Sequence, residues 1–230
     1  MAVNRDAPRR SMAGRALALL GVFDGEHPRL TLTELARRAD LPLATVHRLA
    51  RELVSWGALE RDADGCYSIG LRLWEAATLA PVAGRLREVA LPFMQDLYEA
   101  TRENVHLAVH DGMDALYVEK LSGHRSVPII SRIGARLPLH STGVGKALLA
   151  RADPGFVRGY LERPLGRYTR YTITERARLA RELRATAERG YALTNEEMTL
   201  GSCSVAVAIP AEGHVPPGAL GIVVLSLIHI

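Results

Sequence analysis

The sequence predicts an α+β chain in two parts, a winged helix-turn-helix followed by a mixed domain of strands and helices. Three observations carry this expectation. Residues 30–57 contain two helix-forming stretches separated by a tight break at Asp40-Leu41-Pro42. A short hairpin pattern follows over residues 58–70, with Asp64-Gly65 as its turn. From Asn104 onward, short apolar strands alternate with helices but without a regular βαβ repeat, which favours a sheet flanked by helices.

Composition sets the frame. A chain of 230 residues, 48% apolar and 23% charged, suits one or two globular domains. No apolar run reaches the roughly eighteen uncharged residues that suggest a membrane span. The opening MAVNRDAPRR lacks an apolar signal core and reads as a basic tail over residues 1–10. Cys66 and Cys203 are too few for a disulfide framework or a zinc site, so a cytoplasmic protein with no cofactor is expected. The net charge of +4 and pI of about 9.3 are compatible with a nucleic-acid partner but do not establish one.

A first helix is expected over residues 11–25, capped by Ser11, ended by Gly25, and burying Leu17, Leu20 and Phe23. Thr31 and Glu34 have the spacing of a capping box, which starts the second helix. That helix runs to about Ala39. Pro42 disfavours helical geometry at Leu41, and a third helix then occupies residues 43–56 until Gly57 ends it. Leu35, Ala39, Leu41, Val46 and Leu49 stand where two such helices pack. Asp40 occupies a turn position that suits glycine, and it tolerates left-handed geometry better than most residues.

The third helix points to a duplex. Thr45, His47, Arg48 and Arg51 lie on its solvent side, with Arg37 and Arg38 beside them and Arg61 at the wing. Short polar and cationic side chains are what a helix in the major groove needs to reach base edges and phosphates. The following stretch, LRLWEAATLA, places Leu73, Trp74, Ala77 and Leu79 in an apolar strip that needs cover, either from its own wing or, the favoured reading, from a second chain. A further helix over residues 85–101 is expected to turn Leu86, Val89, Phe93 and Leu97 to one face.

In the second part, NVHLAVHDGMDALYVEKL reads as two strands around Asp111-Gly112, and VPIIS, VAVAIP and LGIVVL as further strands. Helices are expected over residues 143–150 and 175–189. The loop STGVGKALLA superficially suggests a phosphate loop. That motif needs a glycine where His140 stands and Ser or Thr where Ala147 stands, so nucleotide hydrolysis is not expected. Two readings stay open. The amides of Gly143, Val144 and Gly145 can receive a small anion at a helix start, or the glycines can serve close helix–sheet packing.

Taken together, these residues resemble the IclR-type transcriptional regulators. The resemblance rests on LTLTELARRADLPLATVHRLARELVSWGALER and YSIGLRLWE, and then on LPLHSTGVGKALLA and RELRATAERGYALTNEEMTLGSCSVAVAIP. It implies a DNA-binding domain over residues 11–70, a linker and dimerisation helix over 71–84, and a GAF-like α/β effector-binding domain over 85–230, apparently truncated at its C-terminus. Double-stranded operator DNA, a small organic acid (aromatic acids among them) and a homodimer or homotetramer are the implied partners. The implied effector pocket falls on Ile129, Gly143, Val144, Thr194 and Ser204. Gly221 and Val223 stand where some members carry serines, which suggests a less polar effector. Glu196 and Glu197 match an acidic pair of the family and read as turned away from the ligand, as protonated, or as a solvated capping turn. Two other functions compete: an enzyme using Cys203 with His106, His110 or His140, and a sensor module that binds no DNA.

Overall fold

The computed structural model describes residues 11–80, 85–122 and 131–226. The chain divides into two compact units, residues 1–80 and 81–230. Among the described residues no helix is long and apolar enough to cross a membrane.

The first unit packs α1 (Met12–Leu20), α2 (Leu32–Ala39) and α3 (Leu43–Trp56) around Leu19, Leu35, Val46 and Leu49. The capping box forms as spaced: the Thr31 amide donates to Glu34 Oε2 at 2.8 Å, and the Glu34 amide donates back to Thr31 Oγ1 at 3.3 Å. Asp40 sits at φ 54°, ψ 51°, and the Leu41 amide donates to the Ala36 carbonyl, which closes the turn before α3. Strands β1 (Leu59–Arg61) and β2 (Tyr67–Ile69) make the wing, and an isolated bridge from Leu30 to Tyr67 adds a third rung. Helix α4 (Leu71–Thr78) follows and buries none of its residues within the unit.

Two expectations for the helices need correction. Helix α1 ends at Leu20 rather than at Gly25, and it buries Leu19 while Leu17 stays exposed. The chain turns there because Asp24 Oδ1 accepts from the amides of Glu26 and His27, a local alternative to helical bonding. Helix α5 (Arg87–Thr101) does not bury one continuous strip. It buries Ala90 and Met94, next to the buried Leu86 just before it, but leaves Val89 and Phe93 exposed.

The second unit is built on one antiparallel sheet in the order β5-β4-β3-β8-β7-β6. Its strands are β3 (Asn104–Asp111), β4 (Asp114–Leu121), β5 (Arg136–Pro138), β6 (Ala192–Asn195), β7 (Ser202–Ile209) and β8 (Gly218–Leu225). Helix α5 packs Leu86, Ala90 and Met94 against Val105, Leu107 and Val109 on one face. The other face carries α6 (Gly143–Arg151), α7 (Pro154–Glu162) and α8 (Arg176–Arg189), whose Val144, Leu149, Tyr160 and Leu183 meet Ala108, Tyr117, Ala206 and Ala219. The sheet is thus sandwiched, and the strands alternate between two cores. Four residues of the expected strand VPIIS, Val127 to Ile130, lie outside the described residues, and Ile129 is among them.

Candidate functional site

Two regions collect the residues expected to act, one in each unit. In the first, α3 begins after Pro42 with Val46, Leu49 and Ala50 buried. The 3.6-residue period therefore turns His47, Arg48 and Arg51 outward, and all three are exposed. Thr45 is half-buried and Arg37 exposed. Arg38 is turned inward, its guanidinium 3.5 Å from Asp24. Arg48 folds along its own helix to Glu52 Oε1 at 2.9 Å. Arg51 makes no ion pair among the described residues. At the wing, Arg61 lies over the Tyr67 ring at 5.6 Å, and Arg29 bridges Asp62 and Asp64, which ties the wing to the segment before α2. One cation escaped the sequence reading. Arg72, in the first turn of α4, stacks on Trp56 at 4.4 Å and donates to the Trp56 carbonyl, so it shares a surface hollow with Arg48 and Arg51. A helical pattern could not reveal a contact between residues sixteen apart on different helices.

In the second unit a cavity of about 500 Å³, its mouth included, opens between the start of α6 and the sheet. It brings together Gly143, Val144, Thr194, Ser204, Gly221 and Val223; Ile129 lies outside the described residues. The topology explains the grouping. The register pairs Thr194 with Ser204 and Ser204 with Val223 in one row across β6, β7 and β8, and Ala206 with Gly221 and Gly221 with His106 in a second row across β7, β8 and β3.

Helix α6 lies on both rows, with Gly143 against Ser204 and Ala206 and Val144 against Gly221. Thr142 Oγ1 caps it by accepting from the Gly145 amide at 3.2 Å, and every residue from Gly143 to Leu149 is buried. A Cβ on Gly143 would come within 2.5 Å of Ser204 Oγ, and one on Gly221 within 3.0 Å of both Ala206 Cβ and Val144 Cγ1. These two glycines set how closely the helix approaches the strands. The two open readings of the loop are therefore compatible: the glycines pack tightly, and the amides of Gly143 and Val144, without partners among the described residues, stand at the cavity wall.

The remaining walls include residues the sequence reading did not place there: His106, Tyr117, Ser131, Ser141, Thr142, Met198 and Ser202. His106 Nε2 bonds Ser131 Oγ at 2.9 Å, and its ring meets Tyr117 edge-on at 5.2 Å. Burial raises the Tyr117 phenol above its ordinary range, against the opposing bond with the Thr142 side chain. The alternation of β3 already puts His106 on the same face as Ala108, but its partner Ser131 is 25 residues away.

Burial, with Lys120 adding to it, drives the His106 imidazole from 6.5 down to about 3. The folded state thus refuses a proton that the unfolded chain accepts. Stability is full above about pH 6.5 and lost as pH falls toward 3. The expected loss by pH 4 is about 3 kcal/mol. Denaturant unfolding at a series of pH values checks this, and His106→Gln should flatten that part of the profile.

The acidic pair is neither exposed nor solvated. Glu196, at φ 54°, accepts from the Gly201 amide and from Ser226 Oγ, each at 3.0 Å. Glu197 turns away from the cavity to Lys146, whose Nζ lies 2.6 Å from Glu197 Oε1 and 3.2 Å from the Leu193 carbonyl. Thr169 and Thr172 donate to the carbonyls of Glu196 and Glu197. These bonds fix the turn that carries Met198 into the pocket wall.

The fold and both sites now bear comparison with known proteins. A family model described as the bacterial transcriptional regulator IclR C-terminal domain matches residues 82–227. A second, the IclR helix-turn-helix domain, matches residues 13–63. The chain belongs to the IclR family of transcriptional regulators. Among curated IclR-family relatives, the HTH-type transcriptional regulator KipR of Bacillus subtilis is 32% identical over 209 residues, covering 90% of this chain and 82% of KipR. The transcriptional repressor IclR of Escherichia coli is 31% identical over 212 residues, covering 90% and 77%. A crystal structure of an IclR homologue of Microbacterium hydrocarbonoxydans, complexed with 4-hydroxybenzoate, superimposes with a TM-score of 0.89 at 36% identity, covering 94% of this chain and 89% of that one. In this IclR-family chain no described contact joins Cys203 to a histidine: Cys203 Sγ donates to Asn195 Oδ1, His110 bonds the Gly112 carbonyl, and His140 bonds Tyr160 and the Gly166 carbonyl.

Proposed function

We propose that the protein regulates transcription in the cytoplasm by binding operator DNA through α3 and adjusting that binding to a small organic acid held in the second unit's pocket. One observation carries the reading: a helix-turn-helix with an exposed cationic helix face and a lined cavity at a helix N-terminus occur on one chain of this family. Arg37, Thr45, His47, Arg48 and Arg51 face the duplex, with Arg61 and Arg72 as backbone contacts. Arg38 reaches a phosphate only by giving up Asp24. The acid's carboxylate takes the amides of Gly143 and Val144, as the positive end of a helix favours. The 4-hydroxybenzoate held by the Microbacterium homologue supports an aromatic acid of this size.

The active species is a homodimer or homotetramer. Leu71, Trp74 and Leu79 of the α4 segment are 69%, 65% and 85% exposed, more apolar surface than one short helix keeps in water alone. A dimer also matches the paired half-sites that helix-turn-helix proteins read. The protein acts by binding rather than turnover, as its family of transcriptional regulators does, and among the described residues the recorded partner of Cys203 is Asn195 rather than a base.

The test is duplex binding followed by fluorescence anisotropy across a salt series. Affinity should fall steeply with salt, because each neutralised phosphate releases counterions. Salt-independent binding, or none, would favour the DNA-free sensor.

A further inference from the structure

We infer that the pocket selects acids with one carboxylate and a second, uncharged hydrogen-bonding group, and that His106 is the residue that reads this second group. The inference rests on the effector reading above and deepens it. Most polar groups in the cavity wall are already occupied by the protein. The hydroxyls of Thr194 and Ser204 bond each other at 2.5 Å. Ser202 Oγ donates to the Thr199 carbonyl at 2.8 Å, and Thr142 Oγ1 donates to the Pro138 carbonyl at 3.0 Å. His106 differs. It is 2% exposed, its Nε2 is engaged by Ser131, and its Nδ1 has no partner among the described residues although the ring lines the cavity.

That nitrogen is not sealed inside the protein, so a ligand group or water in the cavity can reach and satisfy it. The edge-on contact with Tyr117 and the bond to Ser131 hold the ring in place, so Nδ1 has a defined direction. What it can accept follows from its charge. Burial keeps the imidazole neutral at ordinary pH, so it offers a single hydrogen bond and no positive charge. A hydroxyl or a carbonyl satisfies it. A second carboxylate would be desolvated there, and among the described residues no cation lines the cavity to pair with it. Gly221 stands opposite His106 on β8, and both line the same cavity as Gly143 and Val144, so one ligand can meet a polar group at each position.

The test uses the full chain with three acids of one shape: benzoate, 4-hydroxybenzoate and benzene-1,4-dicarboxylate, measured by calorimetry. The hydroxyl should strengthen binding about tenfold over benzoate, and the diacid should bind about tenfold or more below 4-hydroxybenzoate. In His106→Leu the hydroxyl preference, read as the ratio of the 4-hydroxybenzoate and benzoate affinities, should vanish. His106→Asn, which retains a hydrogen-bonding group, should recover part of the preference and guards against a merely unfolded variant. An intact hydroxyl preference in His106→Leu, or a diacid that binds best, overturns the assignment to His106 but leaves the effector reading standing. Failure of all three acids to bind the unmodified protein overturns both.

Discussion

Lys146→Met should lower the unfolding free energy of the second unit by about 3–5 kcal/mol, the usual result of removing one partner of a buried ion pair. Lys146 is fully buried in α6, yet its ammonium reaches Glu197 and the Leu193 carbonyl, so it joins the pocket helix to edge strand β6 and the following turn. Without it, the Glu197 carboxylate loses its one ion pair among the described residues, and its Oε2 already lacks a partner there. Burial raises the Glu197 pKa even with Lys146 opposing the shift. In the variant it rises further. A carboxylate whose folded pKa is raised contributes stability present at low pH and lost as pH climbs through that pKa. The deficit of Lys146→Met should therefore grow with pH. Urea unfolding at two pH values measures both effects. The double variant Lys146→Met/Glu197→Leu should recover most of the loss, because an apolar pair of similar volume removes the desolvation penalty. A single-variant loss below about 1 kcal/mol would mean that water reaches the pair.

The second large effect concerns DNA. Arg51→Ala should weaken operator binding by about 1–3 kcal/mol if the guanidinium reads a base. If it meets only phosphate, the loss should be similar on every sequence and the salt slope should fall by about 1. Arg51 is exposed and makes no ion pair among the described residues, whereas Arg48 must first leave Glu52. For that reason Glu52→Gln should tighten duplex binding, by freeing Arg48 and removing a negative charge near the backbone. Anisotropy with operator and scrambled duplexes separates the outcomes, and unchanged affinity on both would remove Arg51 from the interface.

Much of the first unit was legible because its signals are local. The Thr31–Glu34 box, the Pro42 break and the apolar spacing of Leu35, Val46 and Leu49 act within a turn or two of chain, and each reappears in the structure. The end of α1 was misread because Asp24 builds a side-chain turn that competes with helix, where Gly25 looked like a stop. Helix α7 was missed even though Asp153 caps it and Pro154 fills its first turn, a signal available in the sequence. The short strands β5 and β6 carry too few residues for alternation to register.

The site divides in the same way. Gly143 and Val144 were visible as a helix start, and Thr194, Ser204, Gly221 and Val223 were placed through the family resemblance. His106, Tyr117 and Met198 were not, because what brings them to the cavity is sheet register and a turn clamped from elsewhere. The Lys146–Glu197 pair spans 51 residues, so only the fold reveals that the acidic pair is structural on that side.

Effector binding in one unit and operator binding in the other are coupled by a free energy, and linkage tests that coupling directly. Operator affinity should be measured with and without saturating 4-hydroxybenzoate, and the affinity for the acid with and without saturating operator. The two ratios must be equal by thermodynamic necessity, and the account predicts a common factor of about 5–150. An acid that binds the pocket while leaving operator affinity unchanged would contradict it.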